Sequence, residues 1–207
     1  MKTKTIATIA VFTAISVALV LSPVKFPAPF APFLKYQIWE IPIVAAFLLF
    51  GPFVGFSTSI INTLILLVVY PGDLPTGPLY NLAAVSSMLL GIYIVERFAD
   101  YLNRRRDIIL ILSTVLGSIF RVGFMSAINW AFLRYPYPIG YSLPVEAIMP
   151  LLPLIGLFNA TVVIYTIPLG YVISRAAGFR TNNLKRSSAK EKPKDLKASS
   201  SELFLKQ

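Results

Sequence analysis

The stretch Ile38–Tyr70, IWEIPIVAAFLLFGPFVGFSTSIINTLILLVVY, is apolar along 33 residues except for Glu40, Asn62 and a few hydroxyls. A single helix of that length would measure about 50 Å at 1.5 Å per residue. A bilayer's hydrocarbon core is only about 30 Å thick. Gly51-Pro52, followed by Gly55, falls in the middle of the run. Proline removes a backbone donor and glycine tolerates turn geometry, so the stretch predicts two helices that reverse direction at Gly51-Pro52.

The same reasoning extends to the rest of the chain. Of its 207 residues 56% are hydrophobic and 14% charged, whereas soluble domains carry about a quarter charged residues. Further apolar stretches cover Thr5–Leu21, Leu79–Val95, Ile108–Leu133 and Ala147–Ile173, most of them near the ~20 residues that span a bilayer. Lys2 and Lys4 before the first stretch resemble a signal sequence, but its apolar run exceeds the roughly 7–15 residues of a signal core and no small-x-small cleavage site follows. It is expected to stay as the first helix. Six helices put the amino terminus, the loop with Arg97, Arg104, Arg105 and Arg106, and the tail from Arg175 on one side, leaving Lys25, Lys35 and Arg134 opposite. Five helices would turn the arginine loop away from the amino terminus, against the positive-inside tendency. The expected fold is an all-α membrane domain over residues 1–180, with six transmembrane helices and both termini cytoplasmic.

The net charge of +10 sits mainly in the arginine loop and the tail, which marks it as topogenic rather than as a nucleic-acid footprint. Residues 181–207 are rich in Lys and Ser, with too little apolar surface to offset ordering entropy, and are expected to be a disordered cytoplasmic tail within reach of anionic lipid. The chain has no cysteine and no histidine. Disulfides, thiolate or imidazole metal sites and nucleophile–histidine dyads are thereby excluded. No Gly-x-x-x-x-Gly-Lys-Ser/Thr, His-Glu-x-x-His or Gly-x-Ser-x-Gly pattern occurs, so the chain carries no P-loop of its own.

Between the first two helices, Pro27, Pro29 and Pro32 alternate with Phe26, Phe30 and Phe33. That pattern predicts an extended, polyproline-like outer loop. It either folds over a binding site as a lid or lies in the membrane interface, where amphipathic aromatics gather. The connections Tyr70–Pro78 and Tyr135–Tyr141 are rich in turn formers and are expected to be structured.

Ala10, Ala14 and Ala18 recur at intervals of four, giving the first helix a stripe with little side-chain bulk. Such a stripe admits another helix closely, either a partner's or one of this chain's own. Polar groups inside apolar helices are costly, and those here are Glu40, Asn62, Asn81, Arg121, Asn129 and Asn159. In the six-helix topology Glu40, Asn81 and Asn129 fall near the outer ends, Arg121 in the outer half and Asn159 near mid-helix. An outward-open cavity lined by amides and one ion pair would suit a neutral polar heterocycle, because asparagine offers both donors and an acceptor. Trp39, Trp130, Tyr80 and Phe158 adjoin these positions and could add stacking surface. The bland alternative is that the asparagines join helices and that Arg121 pairs with Glu40 to avoid a lone charge.

These residues resemble the substrate-binding S components of energy-coupling factor (ECF) vitamin transporters, and within them the riboflavin branch. The resemblance rests on Trp39-Glu40-Ile41-Pro42 with Leu49-Phe50-Gly51-Pro52, on Thr76-Gly77-Pro78-Leu79-Tyr80-Asn81, on Arg121-Val122 with Asn129-Trp130, and on Phe158-Asn159, spread over residues 6–175. It implies a multi-pass protein of a prokaryotic cell membrane that binds riboflavin or a related flavin, as cargo and not as cofactor, beneath the first loop. It implies that Asn129 and Asn159 hold the flavin's polar edge. It also implies docking through Ala10, Ala14 and Ala18 onto a transmembrane coupling subunit that carries two ATPase subunits. Val162 stands where the riboflavin branch typically has a lysine, so that lysine's contact is absent. The alternatives are an S component for thiamine, pantothenate or a modified-base precursor, with Glu40 and Glu146 as the acidic groups for a cation, or a self-sufficient channel. A membrane enzyme would need chemistry from Glu40, Arg121 or Asp73 without histidine.

Overall fold

A computed structural model describes residues 3–69, 74–102 and 106–190. Among them are six helices: α1 (Thr3–Leu21), α2 (Glu40–Phe50), α3 (Pro52–Val69), α4 (Gly77–Leu102), α5 (Arg106–Phe132) and α6 (Val145–Lys190). Two short strands, β1 (Phe26–Ala28) and β2 (Ala31–Tyr36), lie between α1 and α2. The reversal falls where the sequence predicts it. Gly51 adopts φ +91°, a left-handed conformation that suits glycine, and its N–H donates to the Phe47 carbonyl at 2.9 Å.

Five of the helices are long and apolar enough to cross a membrane, and α2, with 11 residues, is shorter. At 1.5 Å per residue α2 rises only about 16 Å from Gly51. This corrects the expectation that Glu40 sits at the outer end of a full span: it begins a half-length helix. α2 is also apolar on every face, and it packs on α1, α3, α4 and α6. Ile43, Val44, Ala45, Ala46 and Phe47 are all buried. A helix apolar all round belongs inside a bundle or in lipid, and here it is inside.

Lipid tails are as apolar as leucine, so close packing rather than water exclusion joins membrane helices. A Cβ added to Gly91 of α4 would lie 2.6 Å from the Cα of Gly117 on α5, and one on Gly170 of α6 would lie 2.6 Å from Val44 Cγ1 on α2. Both helix pairs meet backbone to backbone or backbone to side chain. The outward surface is the reverse of a soluble protein's: Ile6, Val11, Ile111, Ile119, Ile164 and Val172 are each more than half exposed. Five spans of this length and an apolar outer surface mark a multi-pass membrane protein.

The loop between α1 and α2 departs from the polyproline-like expectation. β1 and β2 pair antiparallel, with Phe26 opposite Tyr36, Pro27 opposite Lys35 and Ala28 opposite Ala31, and the register shifts between Pro27 and Ala28. The prolines are tolerated because a two-stranded ribbon has only edges, where a missing donor costs no ladder bond. The hairpin folds back over the bundle. Ala28 and Ala31 are buried, and Leu34 packs against Leu133, Ile148 and Ile155 at the adjoining ends of α5 and α6.

The α5–α6 connection is ordered, as expected. The N–H groups of Tyr141 and Leu143 donate to the Leu133 carbonyl, and Ser142 N–H donates to Tyr135 O at 2.9 Å. Thr76 Oγ1 and the Tyr80 hydroxyl donate to the carbonyls of Pro138 and Ile139 at 2.7 and 2.9 Å, tying the start of α4 to this loop. α6 continues helically to Lys190, past Thr181 where the sequence predicts disorder. Once a helix is nucleated, each added residue costs little, and Ala, Arg and Lys propagate it well. Asp73, Arg104, Arg105 and residues 191–207 lie outside the described residues.

Candidate functional site: a buried amide and ion-pair layer under the hairpin

Glu40 opens α2, where the positive end of the helix dipole favours a carboxylate. Its carboxylate faces Arg121 of α5, and the two form a fork: Nη2 donates to Oε1 at 2.9 Å and Nη1 to Oε2. The guanidinium's remaining edge reaches α6, where Nε donates to Asn159 Oδ1 at 2.9 Å. Asn159 in turn donates Nδ2–H to the Ile155 carbonyl at 2.8 Å. Nη1 also lies 3.8 Å from the sulfur of Met88 on α4. Glu40, Arg121 and Asn159 are no more than 5% exposed. A lone buried charge would be costly, and here each charge has a partner and the pair is neutral overall.

The hairpin reaches down to the same helix. The hydroxyls of Tyr36 and Thr161 share a hydrogen bond of 2.7 Å, and the Tyr36 ring stacks on Phe158 with centroids 4.9 Å apart. Tyr165 donates to the Gln37 carbonyl at 2.7 Å. Beside these contacts a cavity of about 350 Å³ is lined by Val24, Phe26, Tyr36, Gln37, Ile38, Thr161 and Tyr165.

The predicted site residues divide into groups. Glu40, Arg121 and Asn159 meet directly, and Phe158, next to Asn159 on α6, stacks on Tyr36. Asn129 is buried, with Nδ2 donating to Met125 O at 2.7 Å. It lies eight residues beyond Arg121 on α5, about 12 Å by helical rise. The single outer layer expected from the sequence is therefore two tiers. Asn81 is exposed near the start of α4. Trp39 lies in the main apolar core beside Ile43 and Phe47. Trp130 is exposed, with the Arg134 guanidinium 4.2 Å from its ring centroid. Asn62 is buried on α3, and its Oδ1 has no partner among the described residues. Val162 is buried on α6. The sequence gives Thr161 and Tyr165 little prominence, because a hydroxyl in an apolar helix usually bonds to its own backbone, and Tyr36 little more, because it ends an aromatic loop. Their signal was position: Tyr36 ends the aromatic loop, and Thr161 and Tyr165 lie one turn apart.

The alanines of α1 face outward. Ala10, Ala14 and Ala18 are exposed and, with Ser57, Ile61 and Ile65 of α3, line a groove of about 730 Å³.

No protein-family model matches the chain. A solved structure described as the S component of a bacterial ECF transporter aligns with it at a TM-score of 0.65 and 27% identity, covering 89% of this chain and 99% of that one. Six helices, a hairpin over one end and a short buried α2 thus define a protein of the ECF S-component class. The riboflavin transporter RibU of Staphylococcus aureus (strain TCH60) is 32% identical over 141 residues, which cover 68% of this chain and 70% of the relative. The chain belongs to the RibU family of S components.

Proposed function

We propose that the chain captures riboflavin or a closely related flavin from the outside and delivers it as the substrate-binding subunit of an ECF importer. The observation that carries this reading is the kinship with a riboflavin transporter over two thirds of both chains. The geometry supports it. Two buried asparagines at two depths on facing helices suit an elongated, uncharged ring system with hydrogen-bonding groups at intervals. The hairpin, pinned to α6 through Tyr36, Thr161 and Tyr165, serves as the lid that sheds water from the ring.

Charge counts against a thiamine-type cation, because the Glu40 carboxylate is already matched by Arg121. A self-sufficient channel is disfavoured by α2, which fills the middle of the bundle with buried Ile43, Val44 and Phe47. Without histidine or cysteine, and with its buried charges paired, the chain acts as a carrier subunit and not as an enzyme. The exposed alanine face of α1 and the groove beside it take a coupling subunit's helix, and partner ATPases supply the energy. The test is purification in mild detergent from riboflavin-replete cells, followed by flavin absorbance and fluorescence. A retained stoichiometric flavin, lost in Asn129→Ala and Asn159→Ala, supports the reading. A colourless protein that does not quench added riboflavin overturns it.

A further inference from the structure

The Asn159 carboxamide is held at both ends by groups of fixed character. A guanidinium N–H can only donate and a backbone carbonyl can only accept. Arg121 therefore requires Oδ1 on its side, and Ile155 requires Nδ2 on the other. An asparagine amide has two N–H donors, so one N–H remains beyond the Ile155 bond. Asn129 is the opposite case. Its Nδ2 donates to Met125 O, and no described residue engages its Oδ1.

The Glu40 fork explains why Arg121 can act as an anchor. By binding both terminal nitrogens it fixes the guanidinium plane and leaves the Nε edge for Asn159. With the Ile155 bond alone, the amide could swing about that single contact.

We infer that Glu40 and Arg121 are positioning residues that lock the Asn159 amide so that α6 presents a hydrogen-bond donor while Asn129 on α5 presents an acceptor. The pair selects ligands with a ring carbonyl or ring nitrogen acceptor facing α6 and an N–H facing α5. A fused-ring heterocycle has both when an N–H at one end of the ring system is separated from a carbonyl or ring nitrogen further along it. This rests on the riboflavin-site reading above and adds to it the reason why a buried ion pair accompanies the two amides.

The experiment is a double-mutant cycle on the full chain in detergent, with riboflavin affinity read by fluorescence quenching and the melting temperature of the ligand-free protein read alongside. Arg121→Lys keeps the charge but cannot make the planar fork and the Nε contact together. Arg121→Lys and Asn159→Ala are each expected to weaken riboflavin binding about tenfold or more. The double variant is expected to bind no more weakly than Asn159→Ala alone, because Arg121 acts through Asn159. Losses that multiply in the double variant overturn the positioning role, as does normal affinity in Asn159→Ala beside weak binding in Arg121→Lys. A purely structural role would lower the melting temperature of Arg121→Lys equally with and without Asn159. Should Arg121→Lys not fold, Glu40→Gln takes its place in the cycle with the same two outcomes. A wild-type chain that fails to quench riboflavin overturns the flavin reading and this inference together. Tight wild-type binding with multiplying losses overturns this inference alone.

Discussion

Helices α1 and α2 have similar apolar character and opposite fates. α1 exposes Ile6, Val11 and Ile15, while α2 buries every residue from Ile43 to Phe47. Hydrophobicity places both in the membrane but does not say which one meets lipid. The difference lies in length and neighbours. α2 has 11 residues, is bounded by Glu40 and Gly51, and is clasped by four other helices. α1 has 19 residues and packs on α3 and α2 along one face only, leaving its alanine stripe free.

The largest effect that would break this contrast is at the top of α2. Arg121→Leu leaves the Glu40 carboxylate buried without its partner and is expected to cost about 3–5 kcal/mol, seen as a loss of folded protein or a strongly lowered melting temperature in detergent. A melting temperature equal to wild type would mean that the pair contributes little to the fold. Next in size is Phe47→Ala on α2, expected to cost about 3 kcal/mol through the cavity it leaves. Val11→Ala on α1 should stay within about 0.5 kcal/mol. Equal losses at the two positions would erase the distinction between them.

Asn129→Ala is expected to weaken riboflavin binding about tenfold through loss of one buried hydrogen-bonding group, measured by fluorescence titration. An unchanged affinity would remove the upper tier from the site. Ala14→Leu should change stability by less than about 0.5 kcal/mol and leave riboflavin binding intact. It should nevertheless abolish co-purification with a coupling subunit, and retained co-purification would place docking elsewhere.

The reversal at Gly51, the helix count and the Glu40–Arg121 pairing were legible because each follows from a local cost: a helix too long for the bilayer, or a charge too expensive to bury alone. Depth was less legible. The outer-end position expected for Glu40 follows from a full-length α2, and although Glu40 and Pro42 mark a first turn, they do not say how deep in the membrane that turn lies. The hairpin departs from expectation for a related reason. Alternating prolines exclude a helix but not a ribbon of two edges, and pairing between Phe26 and Tyr36 depends on residues ten positions apart. The tryptophans show the limit of adjacency. Trp39 and Trp130 neighbour polar positions in sequence, yet one turns into the core and the other out to Arg134. Neighbours on a helix point about 100° apart, and only packing decides which way each faces.

The half-length of α2 also bears on the membrane itself. With Glu40 about 16 Å from Gly51 by helical rise, α2 itself fills the centre of the bundle over about half of a bilayer's depth, and side chains of α4 and α6 pack around it. That short stopper is capped by a carboxylate and a guanidinium whose charges cancel. Because the two charges cancel, the top of α2 offers a lone proton or sodium ion no unmatched counter-charge in the bundle.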